Sequence, residues 1–328
     1  MSFTYKKTII LFFVALLLSL SLFVAGVAYW FQHPQKNQET VVLIEKKSSL
    51  SKITAYLFDR QVLDFPFLFK TILYGTGEWC ALKAGEYLIP SQVTPAQLIS
   101  ILQSGNVILH PVTLIEGETS YHLAQKLLED SRFQGVCTIP AEGSLLPETY
   151  HFPRGMERQK IINHMQKAMK SVVANLWIER SPDCPLQTPE ELVILASIVE
   201  KETALSRERP VVAAVFLNRI KANMMLQADP TVLYALTKGM EPLNRALSLE
   251  DLKFESPYNT YLYEGLPPTP IANPGYLSLK ATAHPLDLPY LYFVANGSGG
   301  HVFSTTLEDH QRNHKAWRKI RAEKREDE

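Results

Sequence analysis

Glu200 is the residue whose surroundings best suit proton chemistry. It follows a nearly all-apolar run, Leu192–Val199, in a helix expected to open at Thr188-Pro189-Glu190-Glu191. That opening reads as a capping box with proline at the first helical position. A helix this apolar is usually buried on all sides. Leu192, Ala196 and Glu200 recur at every fourth position, so they share one stripe, and Glu200 extends it at the helix end. A carboxyl there loses hydration, which favours its protonated form, the state a general acid needs. The plainer reading leaves Glu200 in solvent beside Lys201 and Glu202.

Glycoside cleavage usually takes two carboxyl groups ~5–10 Å apart. Glu202 is a poor partner for Glu200, because positions two apart point to different sides of a helix. Asp229, in Leu226-Gln227-Ala228-Asp229-Pro230-Thr231, is a loop candidate, although Asp-Pro is also a common turn or helix-start signal. The long segment 256–274 carries Tyr258, Asn259, Tyr261 and Tyr263, then Gly265-Leu266-Pro267-Pro268. Aromatic faces and amides suit sugar rings, while packing is the alternative role for any one tyrosine. His284 and His301 read either as cleft residues or as structural ones. His310 and His314, four apart on a polar basic helix, read as a solvated face. No metal site or cofactor motif is expected: HExxH, GxSxG and the Walker loop are absent, and Cys80, Cys137 and Cys184 form no CxxC.

The elements that must carry these residues follow from the rest of the chain, which is 328 residues long with formal net charge zero. Zero net charge gives no basic field, so no nucleic-acid partner is expected. Thr8 to Phe31 holds no charged residue and would measure roughly 36 Å as a helix, enough to cross a ~30 Å hydrocarbon core. Lys6 and Lys7 lie before it and Tyr29-Trp30-Phe31 at its far end. The expectation is one uncleaved membrane anchor (8–31) with residues 1–7 cytoplasmic, the rival being a cleaved signal peptide; either way residues 33–328 lie outside the cytoplasm. Residues 32–40 read as a polar linker and 41–135 as a small membrane-proximal α+β module. Residues 140–320 read as a larger mixed α+β domain, and 321–328 as a charged tail. The fold class is therefore α+β behind one transmembrane helix. Helices are expected from Ser49 to about Phe58, from Pro95 to Gly105, from Thr119 or Ser120 to about Glu129, from about Arg158 to Ile178 and from about Arg209 to Lys221. Strands are expected at Val41–Ile44, Lys83–Ile89, Val112–Ile115, Tyr290–Ala295 and His301–Phe303, with Asn223–Pro289 irregular.

Several ordered motifs together resemble the MltG/YceG-like family of endolytic murein transglycosylases. They are Ala196-Ser197-Ile198-Val199-Glu200-Lys201-Glu202-Thr203, Leu217-Asn218-Arg219, Leu226–Thr231, Ser256–Tyr261 and Gly265–Pro268. Ile271–Gly275, Ala283-His284-Pro285, Tyr290–Val294 and Gly299–Phe303 continue the series, and Glu142-Gly143 with Pro147–Tyr150 precedes it. The resemblance implies a lyase that cuts peptidoglycan strands between N-acetylmuramic acid and N-acetylglucosamine and leaves 1,6-anhydro ends. It places the catalytic glutamate on Glu200, with Gln227, Asp229, Tyr258, Asn259, Tyr261, His284 and His301 as supporting residues. It also implies a LysM-like character for residues 41–135, a location in the plasma (inner) membrane with the catalytic domain in the periplasm or other extracytoplasmic space, and peptidoglycan synthases as partners. Two other functions stay open: a hydrolytic muramidase in which Asp229 activates water, and a non-catalytic wall-binding protein in which Glu200 is structural.

Overall fold

The computed structural model describes residues 2–326, so the end of the tail at 321–328 lies outside the described residues. The chain divides into two compact units, residues 1–110 with 152–155, and residues 111–151 with 156–328.

The first unit starts with α1 (Ser2–Gln32), whose stretch Tyr5–Gln32 has mean hydropathy 2.8 and is long and apolar enough to cross a membrane. It continues through β1 (Thr40–Ile44), α2 (Leu50–Asp59), α3 (Pro66–Thr76), β2 (Gly85–Ile89) and α4 (Pro95–Ser104). β1 and β2 pair antiparallel, Thr40 opposite Ile89 and Ile44 opposite Gly85. Val42, Tyr87 and Ile89 from this ribbon pack with Leu57, Phe69, Leu73, Leu98 and Leu102 from the helices in one core. The helix ends are written locally. Ser49 accepts from the Lys52 N–H, Thr94 and Gln97 form a reciprocal capping box, and Gly105 ends α4 at φ +76°. The strand expected at Lys83–Ile89 begins at Gly85 and pairs with β1. Helix α3 falls in a stretch the hydrophobic pattern left unassigned.

The second unit holds the end of β3 (Leu109–Thr113), α5 (Ser120–Glu129) and the start of β4 (Thr149–Pro153). It goes on through α6 (Arg158–Glu179), α7 (Pro189–Glu202), α8 (Arg209–Lys221), α9 (Asp229–Thr237), α10 (Tyr276–Ala283), β5 (Tyr292–Ala295), β6 (His301–Ser304) and α11 (Leu307–Glu326). β3 begins earlier than the expected Val112 and ends at Thr113, where the Thr113 and Thr149 hydroxyls meet at 2.9 Å. β5 and β6 form a hairpin, Phe293 opposite Phe303. Residues 111–135, read from the sequence with the membrane-proximal module, are bonded into this unit: Thr119 donates to the Gly239 carbonyl and Asn273 to the Glu118 carbonyl.

The core of this unit centres on α7, where Leu192, Leu195, Ala196, Ile198 and Val199 are all fully buried. α6, α8 and α10 surround it with Met169, Leu176, Phe216, Leu217, Leu279 and Ala283. Burial on every side follows from a helix without a polar stripe. The expected capping box at its start is only half formed. Thr188 accepts from the Glu191 N–H, but the Glu191 carboxylate reaches past it to the Gln187 N–H. Two helices, α9 and α10, lie inside the segment expected to be irregular.

Candidate active site

Glu200 sits at the end of α7 with its side chain only 4% exposed. One carboxylate oxygen accepts from Arg209 Nη2 at 2.8 Å and the other from the Gly275 backbone N–H at 2.9 Å. Arg209, the first residue of α8 and 6% exposed, also reaches the Glu116 carboxylate at 3.1 Å and the Ser206 hydroxyl at 3.1 Å. One guanidinium thus serves two carboxylates, one buried and one 42% exposed. Stripping of water, the setting expected from the sequence, is only half of the environment. The buried oxygens are already held by a cation and an amide, the strong charge-assisted kind of contact.

The amide is aimed by the loop that carries it. Asn273, fully buried, accepts from the Leu145 N–H and donates to the Glu118 carbonyl, the Ser120 hydroxyl and Glu142. Ser197, buried in α7, accepts from the Ile271 N–H at 3.0 Å. Gly275 needs no special φ; its constraint is space, since a Cβ there would stand 2.0 Å from Glu116 Oε1. Gly117, at φ +76°, packs against Lys201 and Glu200 and donates to the Asn273 carbonyl at 2.9 Å. The loops 114–119 and 271–275 are therefore bonded together beside Glu200.

A second cluster begins two residues further on. Glu202 ends α7, and burial, then the Asp229 charge, push its carboxyl up to about 8, with Arg219 opposing. Asp229 opens α9 and accepts from the Tyr261 hydroxyl at 2.6 Å. Burial first, and then this bond, raise the Tyr261 phenol well above its ordinary value. The irregular segments around them are bonded together: the Gln227 N–H donates to the Thr260 carbonyl and the Ala228 N–H to the Thr260 hydroxyl. Gln227 adopts φ +54° and its side chain accepts from Arg219.

The remaining residues singled out in the sequence are spread more widely. Asn259 is fully buried, and its amide donates to the Leu252 and Phe254 carbonyls, so it shapes the tyrosine loop from within. Tyr258 bonds Thr269 at 2.7 Å and packs against the Tyr234 ring. His284 stands at the far end of α10 from Gly275, ~14 Å along the helix by its rise per residue. His301 is held through Nδ1 by Glu208 at 2.7 Å, one residue before Arg209. Burial pushes the Glu208 carboxyl up, but the bonds from His301 outweigh it and hold it below its ordinary value.

Glu116 and Arg209 were not found by sequence reasoning. Arg209 did carry a signal: a cation in the first turn opposes the helix dipole, so its presence there needs another reason. Glu116 lies in Leu114-Ile115-Glu116-Gly117-Glu118-Thr119, between an expected strand and an expected helix, where nothing local marks it for chemistry. A cavity of about 410 Å³ opens beside the site, lined by Gly117, His122, Lys201, Tyr234 and Ile271. A larger one of about 520 Å³, lined by Glu142, Met169, Val193 and Pro268–Pro270, does not include Glu200 or its neighbours. Glu200 and Arg209 line neither cavity, but Gly117 and Lys201, which adjoin Glu200, line the smaller one and favour it as the place of the chemistry.

Together these features define an α+β unit whose buried core helix ends in an ion-paired glutamate, one residue before the cavity-lining Lys201. The chain belongs to the YceG-like family, whose profile matches residues 42–316. It is 41% identical to the endolytic murein transglycosylase of Bacillus subtilis (strain 168) over 174 residues, 53% of this chain and 47% of that protein. It is 29% identical to the endolytic murein transglycosylase of Streptococcus pneumoniae (strain ATCC BAA-255 / R6), covering 71% of this chain and 50% of that one. The chain spans about half the length of the curated relatives it matches. The crystal structure of a yceG-like protein from Listeria monocytogenes superposes with a TM-score of 0.52 at 29% identity, covering 84% of this chain and 99% of that one.

Proposed function

We propose that this chain is an endolytic peptidoglycan lytic transglycosylase with Glu200 as its acid and base. The observation that carries the reading is Glu200 itself, buried at the end of α7 and bonded to Arg209 and the Gly275 amide. Carrying a proton, Glu200 donates it to the oxygen that leaves muramic C1 as the glycosidic bond breaks. The resulting carboxylate then takes the proton of the muramic C6 hydroxyl while that oxygen bonds to C1. The product is a 1,6-anhydro end; no water enters, and Glu200 ends protonated as it began. Glu116 gives this cycle its counter-charge, because Arg209 keeps one carboxylate partner when Glu200 is neutral. Glu202, Asp229, Tyr261 and Gln227 form the supporting wall, with Tyr258, Asn259, His284 and His301 shaping the loops around it. Residues 41–110, the part of the membrane-proximal module that stays in the first unit, act as a LysM-like module toward glycan. The apolar helix is a single-pass anchor in the plasma (inner) membrane with the N-terminus in the cytoplasm, and nascent strands from peptidoglycan synthases are the substrate.

Hydrolysis is the second reading, and one distance favours it. Arg209 Nη2 touches Glu116 and Glu200 at 3.1 and 2.8 Å, so the two carboxylates approach within about 6 Å, near the ~5–5.5 Å spacing of retaining glycosidases. Mass spectrometry of un-crosslinked glycan digested by the full chain in ¹⁸O-labelled water separates the two. Anhydro ends without label are expected; labelled reducing ends would overturn the lytic reading. Folded Glu200→Gln should retain less than a few per cent of wild-type turnover, and a higher value removes Glu200 from its role.

A further inference from the structure

Residues 33–38, which follow α1, are not a slack tether. Gln35 and Asn37 are 3% and 6% exposed. The Gln35 N–H donates to the Val93 carbonyl at 2.9 Å and its side chain accepts from the Asp64 N–H at 3.2 Å. Asn37 donates to the Pro90 carbonyl at 2.7 Å and accepts from the Val93 N–H at 3.0 Å. Trp30 and Phe31, on the last turn of α1, pack against the core of the same unit. The helix and the first unit therefore move as one piece, and the depth of one sets the depth of the other.

That unit exposes an aromatic face beside the helix end. Phe65 meets Trp30 edge to face, with ring centroids 5.8 Å apart, and is 56% exposed. Phe67 is 78% exposed, and Phe67, Thr71 and Tyr74 recur at the spacing of one helical stripe on the outside of α3. Tyr74 extends the face to Trp79, with rings 5.8 Å apart. The inner stripe of α3, Phe69 and Leu73, is already buried in the core, and this outer stripe stays exposed among the described residues. α3 holds one charged residue, Lys70, whose ammonium reaches Ser51.

We propose that this face is seated in the lipid headgroup interface at the outer end of α1, so that the first unit lies against the bilayer. The proposal rests on the reading of α1 as a membrane span. If α1 crosses from Lys7 outward, ~30 Å of hydrocarbon ends near Tyr29 and Trp30, where an aromatic belt forms. Phe65 touches Trp30 and so shares its depth, and Phe67 follows on the next exposed position. Amphipathic aromatic surface at that level is stabilised by partial burial among acyl chains. The consequence is a first unit held at fixed height on the bilayer rather than on a slack tether.

The test uses the full chain in bilayer nanodiscs of phosphatidylethanolamine and phosphatidylglycerol. Cys80, Cys137 and Cys184 are replaced by Ser, and a nitroxide is placed at Phe67→Cys, at Tyr74→Cys or, as reference, at Leu18→Cys in α1. Accessibility to oxygen relative to an aqueous nickel chelate reports depth. Phe67 is fully surface-placed, so the label leaves the core intact. The expected oxygen-to-nickel ratio at Phe67 is severalfold above that of free label in buffer and below that at Leu18. A ratio at Phe67 equal to free label, with Leu18 reading mid-bilayer, overturns the docking and leaves the span. Both sites reading aqueous overturns the span and the docking with it. Shielding of Phe67 from both reagents assigns the face to a second copy of the chain and also overturns the proposal.

Discussion

Replacing Arg209 by Met isolates the energetics of the site. The Arg209 and Glu200 side chains are 6% and 4% exposed, so their interaction is little screened by solvent. Removing one member of a buried ion pair typically costs ~3–5 kcal/mol, because the other charge stays behind unpaired. Here Glu200 keeps only the Gly275 N–H and Glu116 loses its contact as well. At ~2–4 °C per kcal/mol for a unit of this size, Arg209→Met should lower the melting temperature by roughly 10 °C. Glu200→Gln should cost far less, ~1 kcal/mol, because the amide oxygen still accepts a hydrogen bond and Arg209 keeps Glu116. The double variant should regain a large part of the Arg209→Met loss, since no buried charge is then stranded at position 200. Near-ultraviolet circular dichroism of the full chain in detergent, scanned with temperature, gives all three values. An Arg209→Met loss below ~1 kcal/mol, or a double variant no more stable than Arg209→Met, would falsify the picture of a buried ion pair at the centre of the site.

Three more outcomes follow from the same geometry. Gly275→Ala should push the Glu116 carboxylate away while leaving the backbone at its φ of −74°, so strand cleavage should fall ~10- to 100-fold, a barrier change of ~1.4–2.7 kcal/mol, with the melting temperature nearly unchanged; a large loss of stability instead would place the effect in folding. Glu202 has its folded value raised to about 8 from an ordinary 4.5, so the folded state binds the extra proton between those values. Stability from this group is fully present below about 4.5 and lost as pH rises through about 8, and Glu202→Gln should flatten that decline in a denaturation series across the window. Asp229→Asn removes one of the charges that raise Glu202, so it should weaken the same slope, and it should slow cleavage ~10- to 1000-fold while anhydro ends remain the product; inactivity equal to that of Glu200→Gln in strand digests would show the single-glutamate cycle to be incomplete.

What the sequence determined by itself was local. Thr94-Pro95 to Gly105, Ser49 before α2, Thr119 before α5 and Thr188-Pro189 before α7 all carry cap chemistry within one helical turn, and helices begin or end there. The apolar run from Leu192 to Val199 predicted a buried helix, and the uncharged run after Lys7 predicted a helix long enough to span a bilayer. Helices α9 and α10 escaped notice because each is short and lies among prolines and glycines, where periodicity has too few turns to register. Only the tertiary structure decided which distant pieces meet. Glu116 and Arg209 are 93 positions apart, and nothing in the spacing of either announces the other. Glu200 and Gly275 are 75 apart, and their bond exists because Asn273 and Ser197 fix a loop whose own sequence reads as a turn. Periodicity and caps act within a few residues, whereas a buried charge finds its counter-charge through packing of elements whose order in space the pattern does not carry.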